Sequence, residues 1–373
     1  MSRIRIVVAG GGRVAQLVHL PTLLGQRKLV EVAGVADPIP AVRGELEMRF
    51  GLEGRVFSTV EELFELGADA LVCATPIPLH VQVVHAALDA GLHVLCEKPL
   101  ALTIGEHDEL AAARDRAQRV VQVGYNKRYD PSFRTLLELL PTDPGDVLLL
   151  GVDAIDPMHE PFVTHTPPRS PEMTERVLEL EARQLRAELG SGLPPEAYWA
   201  YRHGYLSSLV HDVNLVHGIL DAIGHTLPAP VTGGAFWAEG TAVSMEWELE
   251  NGARAEARHV ALAGVPSYEE RLRLLCVDRI LELTYSSPFL LRHPATLVER
   301  RSNGDVGVRT TVHHTSFEDS FSNQLLAFHA AVTDGAEVQN SIEASRLDVE
   351  ALRAAHEHAC ATKGLVPLAL SGH

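Results

Sequence analysis

The feature that most constrains the fold is a glycine-rich turn between an apolar segment and an amphipathic one. The apolar segment IRIVVA, residues 4–9, runs into three glycines and then into the helical pattern VAQLVHLP. Gly10, Gly12 and Ala15 have the spacing G-x-G-x-x-A. In a strand–turn–helix unit the first glycine allows a tight turn, the second lets the backbone approach a pyrophosphate, and the alanine permits close helix packing. The pattern therefore predicts a dinucleotide-binding unit, although a glycine-rich turn in an unrelated α/β protein is the alternative.

The first 125 residues repeat this alternation of apolar runs and helical patterns. The predicted strands are 4–9, 30–36, 55–58, 70–74, 93–96 and 120–124. Helices are predicted at 40–50 and 79–90, and capping-box spacings occur at 59–62 and 103–106. Because the strands are apolar on both faces and joined by crossover helices, we expect a doubly wound parallel sheet in an α/β protein.

The pattern changes after Tyr125, and a length of 373 residues is enough for a second domain. Residues 126–215 are rich in proline and irregular, apart from an amphipathic helix at 172–189. Strand-like segments with turns follow from 230 to about 314, including a hairpin turn at Glu250-Asn251-Gly252. Helices at 319–333 and 341–359 close the chain. We expect domains at 1–125 and 126–373, the second with a mostly antiparallel sheet.

The net charge and the cysteine content of the chain limit the partners that it can bind and the compartment in which it is expected. The chain has 49 acidic and 32 basic residues, a formal net charge of −17, which disfavours nucleic acid and anionic membranes. Its cysteines form no C-x-x-C pair and are interpreted as reduced thiols: Cys73, Cys96, Cys276 and Cys360. No stretch approaches the roughly 18 apolar residues of a membrane span. The expectation is a cytoplasmic protein.

The cofactor is inferred from the residues around the glycine turn. Arg13, Val14 and Ala15 begin the helix whose amides would face the phosphates, and Arg13 is either a phosphate ligand or a solvated loop charge. Asp37 ends the second predicted strand, 22 residues after Ala15. A carboxylate there accepts hydrogen bonds from a ribose and disfavours a 2′-phosphate, so NAD is expected in preference to NADP.

Glu97-Lys98-Pro99 closes the fifth predicted strand. The carboxyl ends of parallel strands form the edge where doubly wound sheets bind ligands. Burial beside a cationic nicotinamide would lower the pKa of Lys98, which would let it accept a hydroxyl proton. The alternative is a lysine that extends to solvent. His80 follows the fourth strand and either contacts the cofactor or has a structural role.

Three stretches resemble the Gfo/Idh/MocA family of NAD(P)-dependent oxidoreductases: AGGGRVAQLVHLPTL, VCATPIPLHVQVVHAALDAGLHVLCEKPLALT and VQVGYNKRYDPSF. The resemblance implies an N-terminal Rossmann domain and a C-terminal α/β domain with an open-faced sheet, through which the chain would form a homodimer or homotetramer. It implies that Ala74, Thr75 and Pro76 pass the cofactor and that Glu97 and Lys98 lie at the nicotinamide. It also implies a cis bond before Pro99.

The sequence departs from this family in the second half of the predicted active site. The family usually carries an Asp four residues before a His on a helix. In YLSSLVHDVNLVHGIL, His211 is the matching His, but Ser207 occupies the Asp position. Positions four apart share a helix face, so both side chains can contact a substrate hydroxyl. A serine orients a hydroxyl without a carboxylate's charge, and a core role for His211 is the alternative.

Further candidates surround these positions. The predicted substrate contacts are Tyr125, Asn126, Arg128, Tyr205 and His211, with Tyr201, Arg202 and His203 nearby; Arg128, like Lys127, has a solvated role as the alternative. Segment 156–204 is expected to shape the pocket, with His159, His165 and Arg169 as candidates. No metal site is expected, because the histidine spacings do not converge and no cysteine cluster is apparent.

The interpretation is an NAD-dependent oxidoreductase for a secondary alcohol of a sugar, cyclitol or related polyol. Lys98 would exchange the hydroxyl proton and His211 would position the substrate. Two other classes stay open. One is a redox-neutral enzyme that oxidises a carbinol transiently, and the other is a nucleotide-binding regulator without turnover.

Overall fold

The computed structural model describes residues 2–157, 171–304 and 306–365. The chain forms two compact units. The described residues of the first unit are 2–125, 171–188 and Phe321–Arg346, and those of the second are 126–157, Leu189–Ser320 and 347–365. The chain crosses between the units at Tyr125, where the sequence predicted a boundary. The predicted second domain is not continuous, because two later segments belong to the first unit.

The first unit contains a six-stranded parallel sheet. Its strands are β1 Ile4–Ala9, β2 Val30–Ala36, β3 Val56–Phe57, β4 Ala70–Cys73, β5 His93–Cys96 and β6 Val121–Val123. Their order is β3-β2-β1-β4-β5-β6, which is a doubly wound arrangement. The core strands are buried on both faces, as the apolar runs predicted, and the expected fold class is confirmed.

Helices connect these strands. They are α1 Leu20–Gly25, α2 Pro40–Phe50, α3 Glu61–Phe64, α4 His80–Asp89 and α5 Ile104–Ala117, and a π-turn at Ala15–His19 precedes α1. The bounds of α2 are those predicted, because Pro40 begins its first turn and Gly51 ends it in the left-handed conformation. Thr103 and Glu106 form the predicted capping box of α5. At α3 no side chain caps the N-terminus, so the second predicted capping box is only half formed.

The second unit contains an eight-stranded sheet in the order β14-β13-β12-β11-β7-β10-β9-β8. Its strands are β7 Val147–Asp156, β8 Val231–Trp237, β9 Ala242–Glu248, β10 Arg254–Ala261, β11 Glu269–Cys276, β12 Arg279–Tyr285, β13 Thr296–Ser302 and β14 Val308–His313. Only the β7–β10 pair is parallel among these described strands, so the sheet is mostly antiparallel as expected. The central strand β7 lies where the sequence analysis expected irregular chain.

The remaining helices are α6 Pro131–Glu138, α7 Pro171–Leu189, α8 Pro195–Trp199, α9 Val210–Ala222, α10 Ser320–Asp334 and α11 Ile342–Thr362. A π-helix at Ala200–Leu209 joins α8 to α9. Helix α7 lies where the helix at 172–189 was predicted. Residues 195–209, which were expected to be irregular, are also helical. Among the helices of the described residues, none combines the length and hydropathy needed to cross a membrane.

Candidate functional site

A cavity of about 600 Å³ lies at the carboxyl ends of the parallel strands in the first unit. Its walls contain these predicted cofactor residues: Gly10, Gly12, Arg13, Asp37, Ala74, Thr75 and Pro76. The cavity also has wall residues that the sequence analysis missed, namely Gln16, Ser58, Thr59, Gln82 and Ala86. Ser58 and Thr59 follow β3 at the same sheet edge, which is the sequence signal that identifies them.

The glycine turn after β1 leaves room for a ligand against its backbone. Gly10 has a φ of 92°, and a Cβ there would lie 2.6 Å from the carbonyl oxygen of Ala74. A Cβ on Gly12 would meet no heavy atom within 4 Å, so this residue borders open space. The turn therefore has the shape that a pyrophosphate cradle needs.

Asp37 is held rigidly in the wall of the cavity. Its Oδ2 accepts a hydrogen bond from the Gly11 amide at 2.9 Å, and its Oδ1 accepts one from the Ile39 amide at 2.9 Å. The side chain is buried, with 7% exposure, and its carboxylate stands at the end of β2. A fixed carboxylate beside the glycine turn fits the ribose of an adenine dinucleotide.

Alanine substitutions in the glycine turn are expected to separate folding from cofactor binding. Gly10→Ala should cost about 1–3 kcal/mol of unfolding free energy, because its Cβ is too close to Ala74 and its φ disfavours an L side chain. Gly12→Ala should leave stability within about 0.5 kcal/mol, since no atom is near. Its methyl group should still weaken NAD binding by about tenfold or more, because it fills the cradle.

Urea unfolding and titration calorimetry with NAD measure the two effects on each variant. Wild-type NAD affinity in Gly12→Ala would contradict the assignment of this turn to the pyrophosphate.

The strand β5 is followed by a buried hydrogen bond between a histidine and a carboxylate beside Lys98. His19 Nε2 lies 2.7 Å from Glu97 Oε1, and the side chains are 7% and 13% exposed. The other oxygen of Glu97 accepts the Lys98 backbone amide at 3.3 Å. Burial opposes ionisation of Glu97, but the hydrogen bond and charge of His19, with the charges of Lys98 and His80, lower its pKa below the usual range. The Lys98–Pro99 peptide is cis, as the resemblance implied.

Glu97→Gln is expected to lower the free energy of unfolding at pH 7 by about 1–3 kcal/mol, because the charged hydrogen bond to His19 is lost. A carboxyl whose folded-state pKa lies below its unfolded value of about 4.5 stabilises the fold above that value. The contribution disappears as the pH falls through the lower folded-state pKa. Urea unfolding should therefore show the deficit of Glu97→Gln shrinking between pH 5 and pH 3, and a deficit that does not change with pH would contradict this account.

His80 has a structural place below the cavity. It is fully buried, and its two ring nitrogens lie 2.9 Å from the carbonyl oxygens of Thr75 and Pro99. It thus fixes the segment after β4 to the segment that follows Lys98. The predicted alternative of a structural role fits this placement. His80, Glu97 and Lys98 do not line the 600 Å³ cavity, and neither do Val14 and Ala15.

Cys73 and Cys96 form a cluster with His80 that the sequence analysis missed. They are paired neighbours on β4 and β5, and the ligand atoms of the three side chains lie within 4.8 Å of one another. Burial opposes ionisation of Cys73, but Cys96 and the charge of His80 outweigh it and lower the Cys73 pKa, whereas burial raises that of Cys96. Both ring nitrogens of His80 are already within hydrogen-bond distance of carbonyl oxygens. The observed contacts of the cluster are therefore hydrogen bonds.

Most of the predicted substrate contacts have structural partners. Tyr125 and Asn126 are 1% and 4% exposed, and they hydrogen-bond to the hydroxyls of Ser345 and Ser320. The hydroxyl of Tyr205, a fully buried residue, donates towards the carbonyls of Ala235 and Ser244. Arg128 is 7% exposed, and burial lowers its pKa against the opposing charge of Asp348. All four side chains are buried, with partners remote in the sequence, and their role as substrate contacts stays a prediction.

Lys127, which was expected at the cleft or in solvent, is also buried. Its Nζ lies 2.6 Å from Glu270 Oε1 and 3.7 Å from Asp212 Oδ1, and both carboxylates are inaccessible to solvent. Burial opposes the charge of Lys127, but the two carboxylates outweigh it and raise its pKa. Burial raises the pKa of Asp212, and Glu270 adds to this effect against the charge of Lys127. The cluster therefore holds an ion pair and a carboxyl that favours its protonated form.

Ser207 and His211 lie on a more accessible surface of the second unit. Both are half-buried, Ser207 in the π-helix and His211 in the first turn of α9. The guanidinium of Arg202, also half-buried, donates a hydrogen bond from Nη1 to the Ser207 hydroxyl. Tyr201 is fully buried and does not share this surface. The candidates His159, His165 and Arg169 lie outside the described residues.

The N-terminal part of the chain matches a known family. Residues 4–125 fit the sequence profile of the Gfo/Idh/MocA oxidoreductase family, whose members have an NAD-binding Rossmann fold. The rhizopine catabolism protein MocA of Rhizobium meliloti is 36% identical over 137 residues, which cover 36% of this chain and 42% of that protein. An inositol 2-dehydrogenase of Rhizobium meliloti strain 1021 is 27% identical over 159 residues, or 42% of this chain and 47% of that protein. These matches span less than half the length of either relative.

Solved structures resemble the chain over nearly its whole length. The UDP-N-acetylglucosamine 3-dehydrogenase GnnA from Acidithiobacillus ferrooxidans has a TM-score of 0.70 and 20% sequence identity, and the match covers 97% of this chain and 99% of that one. At this identity the likeness shows a shared fold.

Proposed function

Because residues 4–125 match the sequence profile of the Gfo/Idh/MocA oxidoreductase family, we propose that this protein is an NAD-dependent oxidoreductase. Its substrate is a secondary alcohol or the matching ketone of a sugar, cyclitol or related polyol. The names of the inositol 2-dehydrogenase and GnnA support this substrate class, since one names a cyclitol and the other a sugar derivative.

The observation that carries the proposal is the fixed carboxylate of Asp37 beside the glycine turn. Both of its oxygens accept backbone amides, so the carboxylate cannot turn away from the cavity without losing two hydrogen bonds. A 2′-phosphate beside it would meet a buried negative charge. The arrangement therefore favours NAD over NADP.

The chemistry is divided between the cofactor and the chain. Bound NAD would supply the hydride acceptor. Lys98 exchanges the proton of the substrate hydroxyl at its Nζ, and Glu97 with His19 fixes the backbone next to it. His211 hydrogen-bonds to the same hydroxyl and orients it. Ser207 adds a hydrogen bond but no charge, so the proton exchange rests on Lys98.

We further propose that two copies associate through the outer face of the eight-stranded sheet. Alternate residues of β11 face solvent, and this surface carries mixed charges such as Arg258 with Asp153 and Arg271 with Glu269. A surface of both signs can pair with a second copy of itself. Sedimentation equilibrium tests this proposal, and a monomer at micromolar concentration would contradict it.

NADH fluorescence tests the function. The chain is mixed with NAD and a pool of sugars, cyclitols and sugar nucleotides, and calorimetry with NAD and NADP is run in parallel. We expect NADH to form and NAD to bind more tightly than NADP. Tight NAD binding with substrate conversion but no NADH would favour the redox-neutral class, and NAD binding without conversion would favour a regulator.

A further inference from the structure

A second cavity, of about 370 Å³, lies at the opposite edge of the parallel sheet from the cofactor cavity. Its walls come from the residue before β1, the first residues of β2, and the last turns of α1 and α2 with the residues that follow them, so it lies at the amino ends of the strands. None of the described residues in its walls lines the 600 Å³ cavity. Its volume is within the range of small-molecule pockets, about 300–1,000 Å³. The cavity is therefore a separate candidate ligand site.

Half of the cavity wall is apolar. Five of the ten wall residues have hydrocarbon or aromatic side chains: Leu23, Leu24, Val30, Val32 and Phe50. Leu23 and Val30 belong to the buried core of the first unit, and Leu24 and Phe50 are partly buried and pack against that core. A ligand with an apolar chain or ring would remove this surface from water, which is favourable in proportion to the area that is buried.

The same walls carry positive charge, although the chain is acidic. The chain has 49 acidic and 32 basic residues, whereas the described cavity walls contain one acidic residue and three arginines. The acidic residue is Glu31, and the arginines are Arg3, Arg27 and Arg55. The Glu31 carboxylate lies between two guanidiniums, with N–O distances of 3.5 Å to Arg3 and 3.7 Å to Arg5. Glu31 is thus already paired, and Arg27 with Arg55 gives the cavity its net positive charge.

Backbone carbonyls hold these two arginines in place without cancelling their charge. Arg27 donates from Nε to the carbonyl of Leu24 at 3.1 Å. Arg55 donates from Nη1 to the carbonyl of Val32 at 3.1 Å and from Nη2 to that of Gly51 at 2.7 Å. A cation at a helix C-terminus stabilises the helix, which is the structural alternative. A guanidinium has several N–H donors, however, and these bonds use one on Arg27 and two on Arg55, which leaves further donors on each exposed side chain.

We propose that this cavity binds a small amphipathic anion, namely a carboxylate on an apolar chain, such as a medium-chain fatty acid. The chain packs on the apolar wall, and the carboxylate accepts charge-assisted hydrogen bonds from Arg27 and Arg55. The C-terminal ends of α1 and α2 place partial negative charge at the same edge of the sheet, which disfavours a phosphate dianion more than a carboxylate. The inference is independent of the proposed function, because it concerns a different cavity.

Four ligands test the charge and the chain separately: octanoate, 1-octanol, acetate and octyl phosphate. Calorimetry is run on the full chain, both without NAD and saturated with NAD. Wild type should bind octanoate about 10- to 100-fold more tightly than 1-octanol, the range expected for hydrogen bonds to a charged group. Acetate should bind more weakly than octanoate by at least about tenfold, because it lacks the chain. NAD should change the octanoate affinity by less than about threefold, since the two sites are separate.

Two substitutions of Arg27 test the source of the charge. Arg27→Met should weaken octanoate binding by about tenfold and leave 1-octanol binding unchanged, and Arg27→Glu should weaken octanoate binding further. Both variants should fold, because Arg27 is exposed and donates a single hydrogen bond to a carbonyl; urea unfolding checks this. Lys28→Met is the matched control, since Lys28 is the next residue, is exposed and does not line the cavity. It should bind octanoate as wild type does.

Equal affinities of wild type for octanoate and 1-octanol would overturn the inference, as would an octanoate affinity that Arg27→Met leaves unchanged. Loss of octanoate binding on saturation with NAD would place this ligand in the cofactor cavity and would also overturn it. Tighter binding of octyl phosphate than of octanoate would overturn the choice of a carboxylate. Octanoate binding that depends on Arg27, in a chain that binds no NAD, would support the inference and count against the proposed function.

Discussion

Lys98→Met is expected to lower the rate of NADH formation by about 10²- to 10⁴-fold, the usual range for a general acid–base residue. Methionine has a similar length to lysine but cannot accept the proton of the substrate hydroxyl. Lys98 is half-buried at the end of β5, and Glu97 fixes its backbone, so the loss should appear in kcat. NAD affinity should stay within about threefold of wild type, because the phosphates and ribose lie at the glycine turn and Asp37.

Lys28→Met is the control for this substitution, since Lys28 is exposed and distant from the cavity walls. Its turnover should equal that of wild type. Wild-type kcat in Lys98→Met would contradict the role of Lys98 in proton exchange. Lost turnover together with lost NAD binding would assign Lys98 to cofactor binding instead.

Lys127→Met is expected to lower the free energy of unfolding at pH 7 by about 3–5 kcal/mol, because it leaves buried carboxylates without their cation. The raised pKa of Lys127 likewise indicates that the carboxylates around it stabilise its charged form. A lysine whose folded-state pKa exceeds its unfolded value stabilises the fold at all pH values below the unfolded pKa, and this contribution is lost as the pH rises through the folded pKa. The difference in unfolding free energy between wild type and Lys127→Met should thus be constant from pH 7 to pH 9.

Asp212→Asn is the matched variant in the same cluster. Burial and Glu270 raise the pKa of Asp212, so ionisation of this carboxyl in the folded state costs free energy as the pH rises above its unfolded pKa. Asparagine resembles the protonated form, and the variant should be as stable as wild type at pH 7 or slightly more stable. Urea unfolding of both variants measures these differences in unfolding free energy. An Asp212→Asn deficit as large as that of Lys127→Met would show that Asp212 is an ionised partner of the lysine.

The sequence predicts those parts of the fold that depend on local patterns. The glycine turn, Asp37 and the strands of the first sheet follow from short apolar runs and the residues that end them. Both ends of the helix Pro40–Phe50 were predicted at the correct residue, because a proline begins the helix and a glycine follows it. Such signals lie within a few positions of the structure that they specify.

The missed features depend on residues that are distant in the sequence. The strand β7 alternates in burial along its length, but it pairs with β10 and β11, about a hundred residues later. The burial of Lys127 could not be foreseen, since its partner Glu270 is 143 positions away. The proximity of Cys73 and Cys96 was easier to predict, because the two residues end neighbouring strands of the predicted sheet. In the predicted active site, four-residue spacing suggested a face shared by Ser207 and His211, whereas the π-helix also brought Arg202 to Ser207.

Isotope transfer shows whether a hydride passes directly from a polyol carbon to NAD. The chain is incubated with NAD and a pool of sugars, cyclitols and related polyols that carry deuterium at their carbinol carbons. The reduced cofactor is then recovered, and its molecular mass is measured by mass spectrometry. We expect NADH that carries one deuterium in the wild-type sample, and none of it in the Lys98→Met sample over the same time. Reduced cofactor without deuterium, or deuterated substrate consumed with no reduced cofactor at any time, would contradict the claim.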